Sequence, residues 1–208
     1  MTAALNIQDW NSFNSKLKNN KIVVIDNFFT DMFLSILRIR VLYAKYVDQD
    51  YGRYTAINYS EQQDYITRLI VKEFKDHLSV LPEFQRAWSF VYINESTGVE
   101  MHADPSRFNV NVWVSSDDSV KNKPFNGLHI YKITPPSNWT RNDSNVYSAK
   151  TKEYIDSHKI KPVKIDYKSN RAIIFNGAYF HESNNVSMKE GVDNRRVSYT
   201  MLFGTQLE

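Results

Sequence analysis

The sequence predicts a mostly β protein with flanking α, a double-sheet jelly roll or barrel with helices in front of it. From Arg86 onward the chain breaks into short runs rich in Val, Ile, Phe, Tyr and Trp, separated by Asn, Asp, Ser, Gly and Pro. Helical periodicity is confined to the first third. At 208 residues the chain can bury one two-layer core without metal or disulfide support. It reads as one domain: an N-terminal helical part over 1–85 and a jelly-roll core over 86–208.

In chain order, residues 21–26 (KIVVID) form a β-branched run. Residues 32–46 carry apolar positions at helical spacing and read as a helix. A second helix is expected over 61–81, with Tyr65, Leu69, Val71, Phe74 and Leu78 roughly on one side. The strand runs follow at 88–94, 99–102, 107–115, 127–133, 163–166, 171–176 and 196–203. Seven or eight strands behind short helices point to two packed sheets. A polar insertion over 134–162, with Pro135, Pro136, Trp139, Tyr147 and Tyr154, suits neither a core strand nor a tight turn. It is either a lid over a site or a surface excursion.

Composition removes several function classes. There is no cysteine, so disulfides, zinc-thiolate sites, iron–sulfur clusters and cysteine nucleophiles are excluded together, and a metal must sit on His and carboxylates. The formal charge of +3 is too small a surplus to indicate a nucleic-acid or anionic-membrane partner. Lysines around the insertion (Lys121, Lys123, Lys150, Lys152, Lys159, Lys161 and Lys164) read as a solvated face. With no basic-then-apolar leader at the start and no bilayer-length apolar run, the expectation is a cytoplasmic protein away from the membrane. Monomer and homodimer remain open.

The chemistry concentrates in His102-Ala103-Asp104. Residues i and i+2 at the end of a β run leave the same face, so both side chains can reach one ion. His181 follows the strand over 171–176 and the Asn176-Gly177 turn. Two imidazoles and one carboxylate on a cysteine-free β scaffold match the facial triad of non-haem iron(II), which leaves further positions open. Arg196 and Ser198 then share one face of the last strand. A keto acid chelating the metal has a distal carboxylate, which a planar guanidinium satisfies with two parallel hydrogen bonds and a hydroxyl can supplement. Arg195 points the other way. His129 reads as structural, and His77 and His158 as ordinary surface residues.

The order His-x-Asp, distant His, Arg-x-Ser resembles the iron(II)/2-oxoglutarate-dependent oxygenase superfamily, and more particularly its prolyl-hydroxylase-like branch, over roughly 88–204. The resemblance implies a double-stranded β-helix with the N-terminal helices packed on one sheet. It implies iron(II) on His102, Asp104 and His181, with 2-oxoglutarate and O2 as co-substrates, ascorbate as a possible reductant, and hydroxylation of a peptide or a small amino-acid-like molecule. By the same resemblance Tyr92 hydrogen-bonds the co-substrate. The strand over 108–114 alternates, with Phe108, Val110, Val112 and Val114 on one face and Asn109, Asn111 and Trp113 on the other. The second face would look into the barrel toward 2-oxoglutarate or substrate. Gly127-Leu128 resembles a Gly-x-Leu strand of the family, with Asn126 in place of a second Gly. A cupin-like metalloenzyme without 2-oxoglutarate and a non-catalytic jelly-roll binding module are the competing readings. Arg196 and Ser198 argue against the first, and the intact triad against the second.

Overall fold

The computed structural model describes residues 3–60, 62, 64–121, 127–183 and 185–205. Glu61, Lys123 and Asn126 lie outside the described residues. The chain opens with α1 (Trp10–Lys18), whose N-terminus is capped by Asp9 accepting from the Ser12 N–H. It continues through β1 (Val23–Ile25) and α2 (Asp31–Leu42) into β2 (Gln49–Asp50) and β3 (Tyr54–Tyr59). α3 (Tyr65–His77) starts at Asp64, whose carboxylate accepts from the Ile66 and Thr67 N–H groups. The expected helix over 61–81 is therefore shorter. Its buried side is Thr67, Ile70, Val71 and Phe74, while Tyr65 is exposed.

The sheet region runs through β4 (Phe84–Tyr92), β5 (Glu95–Ser96), β6 (Phe108–Trp113) and β7 (Leu128–Tyr131). After the short helices α4 (Arg141–Asn145) and α5 (Ala149–His158) come β8 (Val163–Ile165), β9 (Arg171–Phe175), β10 (Phe180–Ser183), β11 (Val186–Ser187) and β12 (Val197–Phe203). The expected run over 99–102 is not a strand, because it contributes only an isolated bridge between His102 and His181. β3, between two helices, and β10, just after a turn, are additions to the sequence reading.

Two sheets face each other, as the jelly-roll expectation required. The larger is antiparallel with strand order β1-β9-β6-β12-β4-β3-β2. The smaller consists of β10-β7-β8, with the β11-β5 pair beside it. The outer face of the larger sheet, including Val110, Val112, Tyr199 and Met201, packs under the three N-terminal helices through Leu17, Leu37, Ile70 and Phe74. Register places the complementary rows inside: Asn109, Asn111 and Trp113 on β6, Ser198 and Thr200 on β12, Trp88, Phe90 and Tyr92 on β4. Trp113 joins Leu128, Ile130, Ile173 and Phe175 in a core between the sheets. Period-two alternation thus splits β6 into an oily face for the helices and a face for the interior.

α4 and α5 occupy about half of the insertion over 134–162. Buried Ile155 of α5 packs against Met101, Ala103 and Phe180 on the outer side of the smaller sheet, and the buried Thr151 hydroxyl donates to the Asp143 carbonyl of α4. No helix among the described residues is long and apolar enough to cross a membrane.

Candidate metal centre and its cavity

His102, Asp104 and His181 converge so that one ligand atom of each lies within 4.8 Å of the others. Backbone pairing makes this possible. The His102 N–H donates to the His181 carbonyl at 3.0 Å and the His181 N–H to the His102 carbonyl at 2.8 Å, which locks the two histidines abreast. Two residues on, the Asp104 N–H donates to the Gly177 carbonyl at 2.9 Å. Gly177 passes so close to Ser106 that a Cβ there would meet the Ser106 carbonyl oxygen at 2.7 Å. The small residue of the Asn-Gly turn is what lets the two segments touch.

Each imidazole is oriented by a carbonyl two residues before it. His102 Nδ1 lies 2.7 Å from the Glu100 oxygen and His181 Nδ1 2.9 Å from the Tyr179 oxygen. A carbonyl only accepts, so Nδ1 carries the proton and donates, and both Nε2 lone pairs are left for a ligand. Nε2 of His102 sits 3.9 Å and that of His181 3.5 Å from the Asp104 carboxylate. Burial, together with the neighbouring His181, pushes His102 below its ordinary pKa and so favours the neutral, ligating form. Burial raises Asp104, but His181 and His102, in the protonated state that holds before any metal takes their Nε2 atoms, outweigh it and bring the carboxyl below its usual range.

Asn109 donates Nδ2 to Asp104 Oδ2 at 2.5 Å. That ties its amide N–H to the candidate ligand, a geometry typical of groups that aim a metal-binding carboxylate, while its Oδ1 is buried in the cavity without a partner. Asn111 lies on the wall of the same cavity, weakly bonded to Thr200 at 3.4 Å, with its Oδ1 buried and without a partner. Phe90, Leu128 and Ser183 complete much of the lining.

Arg196 closes the inner end. It is 1% exposed, its Nε and Nη1 have no hydrogen-bond partner, and it forms no ion pair among the described residues. Its guanidinium is held among three aromatic rings, 5.1 Å from Tyr92, 5.6 Å from Trp113 and 5.7 Å from Tyr167. Desolvation lowers its pKa from the ordinary value. A buried, unpaired guanidinium costs several kcal/mol, so this arrangement stores an unmet demand for an anion. Ser198, 2% exposed, lies on the same side of β12 with its hydroxyl unpaired. Arg195 is half-buried on the neighbouring turn. Tyr92 lines the cavity, whereas Trp113 backs the guanidinium.

His129 belongs to the other side of the smaller sheet, where its Nδ1 meets Glu182 at 3.3 Å. His77 stacks on Trp10 and His158 bonds the Tyr154 carbonyl. Tyr167, which donates its hydroxyl to the Ser115 carbonyl while its ring faces Arg196, was missed from the sequence. It lies in a loop with no periodicity to reveal it. The orienting carbonyls of Glu100 and Tyr179 have no side-chain signature at all.

The residues fit an iron(II) and 2-oxoglutarate pair on two independent grounds: the donor set is two imidazoles and one carboxylate, and the orphaned guanidinium shares its cavity. No known family's sequence profile matches the chain, and no curated protein matches it. Solved structures do. A 2OG-Fe(II) oxygenase family oxidoreductase from Burkholderia pseudomallei superimposes with a TM-score of 0.60 at 14% identity, over 98% of this chain and 95% of that one. A Pseudomonas putida prolyl-4-hydroxylase gives 0.62 at 10% identity, over 95% and 99%. The epimerase SnoN, in complex with Fe3+, alpha ketoglutarate and nogalamycin RO, gives 0.69 at 10% identity, over 94% and 83%. At such identities the likeness is one of fold, and the chain has the double-stranded β-helix fold of the 2-oxoglutarate/iron(II) oxygenases.

Proposed function

We propose that this chain is an iron(II)- and 2-oxoglutarate-dependent dioxygenase that hydroxylates a peptidyl, prolyl-type or small amino-acid-like substrate. The observation that carries the reading is the pairing, in one cavity, of a His-Asp-His cluster with a buried guanidinium that has no partner. A cupin-like metalloenzyme without a dicarboxylate co-substrate leaves Arg196 unexplained.

In this reading His102 and His181 hold the metal through Nε2 and Asp104 through a carboxylate oxygen. When bound, iron(II) with 2-oxoglutarate and O2 supplies an oxidant for an unactivated C–H bond, with succinate and carbon dioxide as coproducts. The rest falls to the protein. Asn109 keeps the Asp104 carboxylate turned inward. Arg196 receives the distal carboxylate of the co-substrate through the N–H groups now unpaired, with Ser198 and Tyr92 beside it. Trp113 and Tyr167 keep that guanidinium flat and dry. The polar wall at Asn111 faces the co-substrate or the substrate.

The test measures succinate release with iron(II), 2-oxoglutarate and ascorbate, against proline peptides, free amino acids and methylated oligonucleotides. His102→Ala and Asp104→Ala should each abolish release while circular dichroism stays unchanged, since each removes one of three protein ligands. Undiminished turnover in either variant would sink the assignment.

A further inference from the structure

Outside the His-Asp-His cluster, the cavity opens into a cleft of about 400 Å³ lined by Arg53, Arg86 and Arg141, together with His102 and Asp104. Among the described residues, its only carboxylate apart from Asp104 is Glu100. Arg53 is partly spoken for, 3.7 Å from Glu100 and bonded to Thr97 at 3.1 Å. Arg86 and Arg141 form no ion pair among the described residues, and no side-chain hydrogen bond of theirs is seen.

Arg86 is placed by register. It lies on β4 in the inward row of Trp88, Phe90 and Tyr92. Leu202 of β12 pairs with Arg86 on one side and with Asn109, the partner of Asp104, on the other. Strands lie about 4.8 Å apart, so Arg86 stands level with the metal ligands, roughly 10 Å across the sheet from Asn109. Its guanidinium sits 5.0 Å from the Trp88 ring centroid. Such stacking fixes the plane and leaves the edge N–H groups for an oxyanion. The Trp88 indole N–H is buried without a partner in the same wall.

Resting on the oxygenase reading above, we propose that the substrate is a small molecule bearing a carboxylate or phosphate, and that Arg86 holds that group beside the metal. Arg141, which lines the same cleft, supports it. A neutral internal proline of a peptide gives these cations nothing to bind, so the amino-acid-like class is the one the cleft fits.

Manganese(II) in place of iron(II) keeps the 2-oxoglutarate complex from turning over and makes bound probes relax faster. The probes are inorganic phosphate, read by phosphorus relaxation, and acetate, read by its methyl protons; the stronger of the two identifies the oxyanion. Wild type should show saturable enhancement. Arg86→Ala should weaken the preferred probe by about tenfold or more, the loss expected for one charge-assisted pair, with Arg86→Lys in between. Arg68→Ala, on the exposed side of α3, should match wild type. Equal enhancement in wild type, Arg86→Ala and Arg86→Lys, or no enhancement by either probe, would overturn the inference. Relaxation of 2-oxoglutarate in the same samples separates the two claims. Its absence defeats the oxygenase reading, and its presence with indifference to Arg86 defeats this inference alone.

Discussion

Arg196 shows what a single residue position reveals and hides. Its place two residues before Ser198 on a β run was legible, as was the same-face pair His102 and Asp104, because period two fixes which side chains travel together. That its guanidinium is buried, ringed by Tyr92, Trp113 and Tyr167, was not, since the rings come from three distant segments. Asn109 was placed on the inward face correctly, but its bond to Asp104 depends on where a loop returns. The buried charge gives a prediction with opposite signs for stability and binding. Arg196→Met keeps much of the volume and removes an unpaired buried cation, so the thermal midpoint of the metal-free protein should hold or rise. The 2-oxoglutarate concentration for half-maximal turnover should rise at least about tenfold, as one or two charge-assisted hydrogen bonds are lost. Arg195→Met should leave that concentration within about twofold of wild type. Equal behaviour of the two variants in steady-state titrations would show that the wrong arginine had been chosen.

Among the elements, strands rich in β-branched and aromatic residues were the readable ones: β6, β9 and β12 fall within the expected runs, while β4 overlaps the run over 88–94 but begins earlier, at Phe84. β3 was not, because Tyr54, Ala56 and Tyr59 are buried on opposite faces and its alternation is blurred. α1 was missed because WNSFNSKLK buries only Leu17 and is otherwise polar. Least visible was the polar connection between layers. The Thr67 hydroxyl donates to Asp64 at 2.5 Å, so the Tyr199 hydroxyl, also at 2.5 Å, must donate to Thr67. Arg40 of α2 closes on the same carboxylate at 2.8 Å. Burial raises the Asp64 pKa, but Arg40 and Thr67 outweigh it and the net shift is downward. One carboxylate therefore caps α3, ties it to α2 and, through Thr67, satisfies a phenol buried in β12. Asp64→Ala removes all three functions and should cost about 2–4 kcal/mol of unfolding free energy in a urea titration. Asp64→Asn, which keeps the cap but weakens the pair with Arg40, should cost less. A loss within about 0.5 kcal/mol for the alanine variant would show that neither the cap, the pair with Arg40 nor the chain to Tyr199 adds appreciably to stability.

At the scale of the whole molecule, the fold class was readable because the β-rich texture extends over two-thirds of the chain. The pairing order was not, since it joins the beginning to the end: β1 lies against β9, and Asp26 meets Arg171 across that edge. Arg171 grips Asp26 with Nε at 2.6 Å and Nη2 at 3.1 Å, and Lys168 adds a contact at 2.8 Å. The hydrogen bond from Arg171 is the largest influence and overcomes burial, holding Asp26 at a pKa of about 2 against an ordinary 3.8. A carboxyl whose pKa is depressed by folding contributes stability that is fully present above its unfolded pKa and disappears as pH falls through the folded one. The carboxylate is 37% exposed, so screening reduces the full linkage value to about 1 kcal/mol. Asp26→Asn should therefore be less stable than wild type by about 1 kcal/mol at pH near 6, with the gap narrowing from about pH 4 and closing near pH 2. Urea unfolding at several pH values, with wild type and variant side by side, cancels the other acids common to both chains. A gap that stayed constant down to pH 2 would mean that the amide costs packing rather than charge, and that the edge joining the first strand to the late sheet is held without this ion pair.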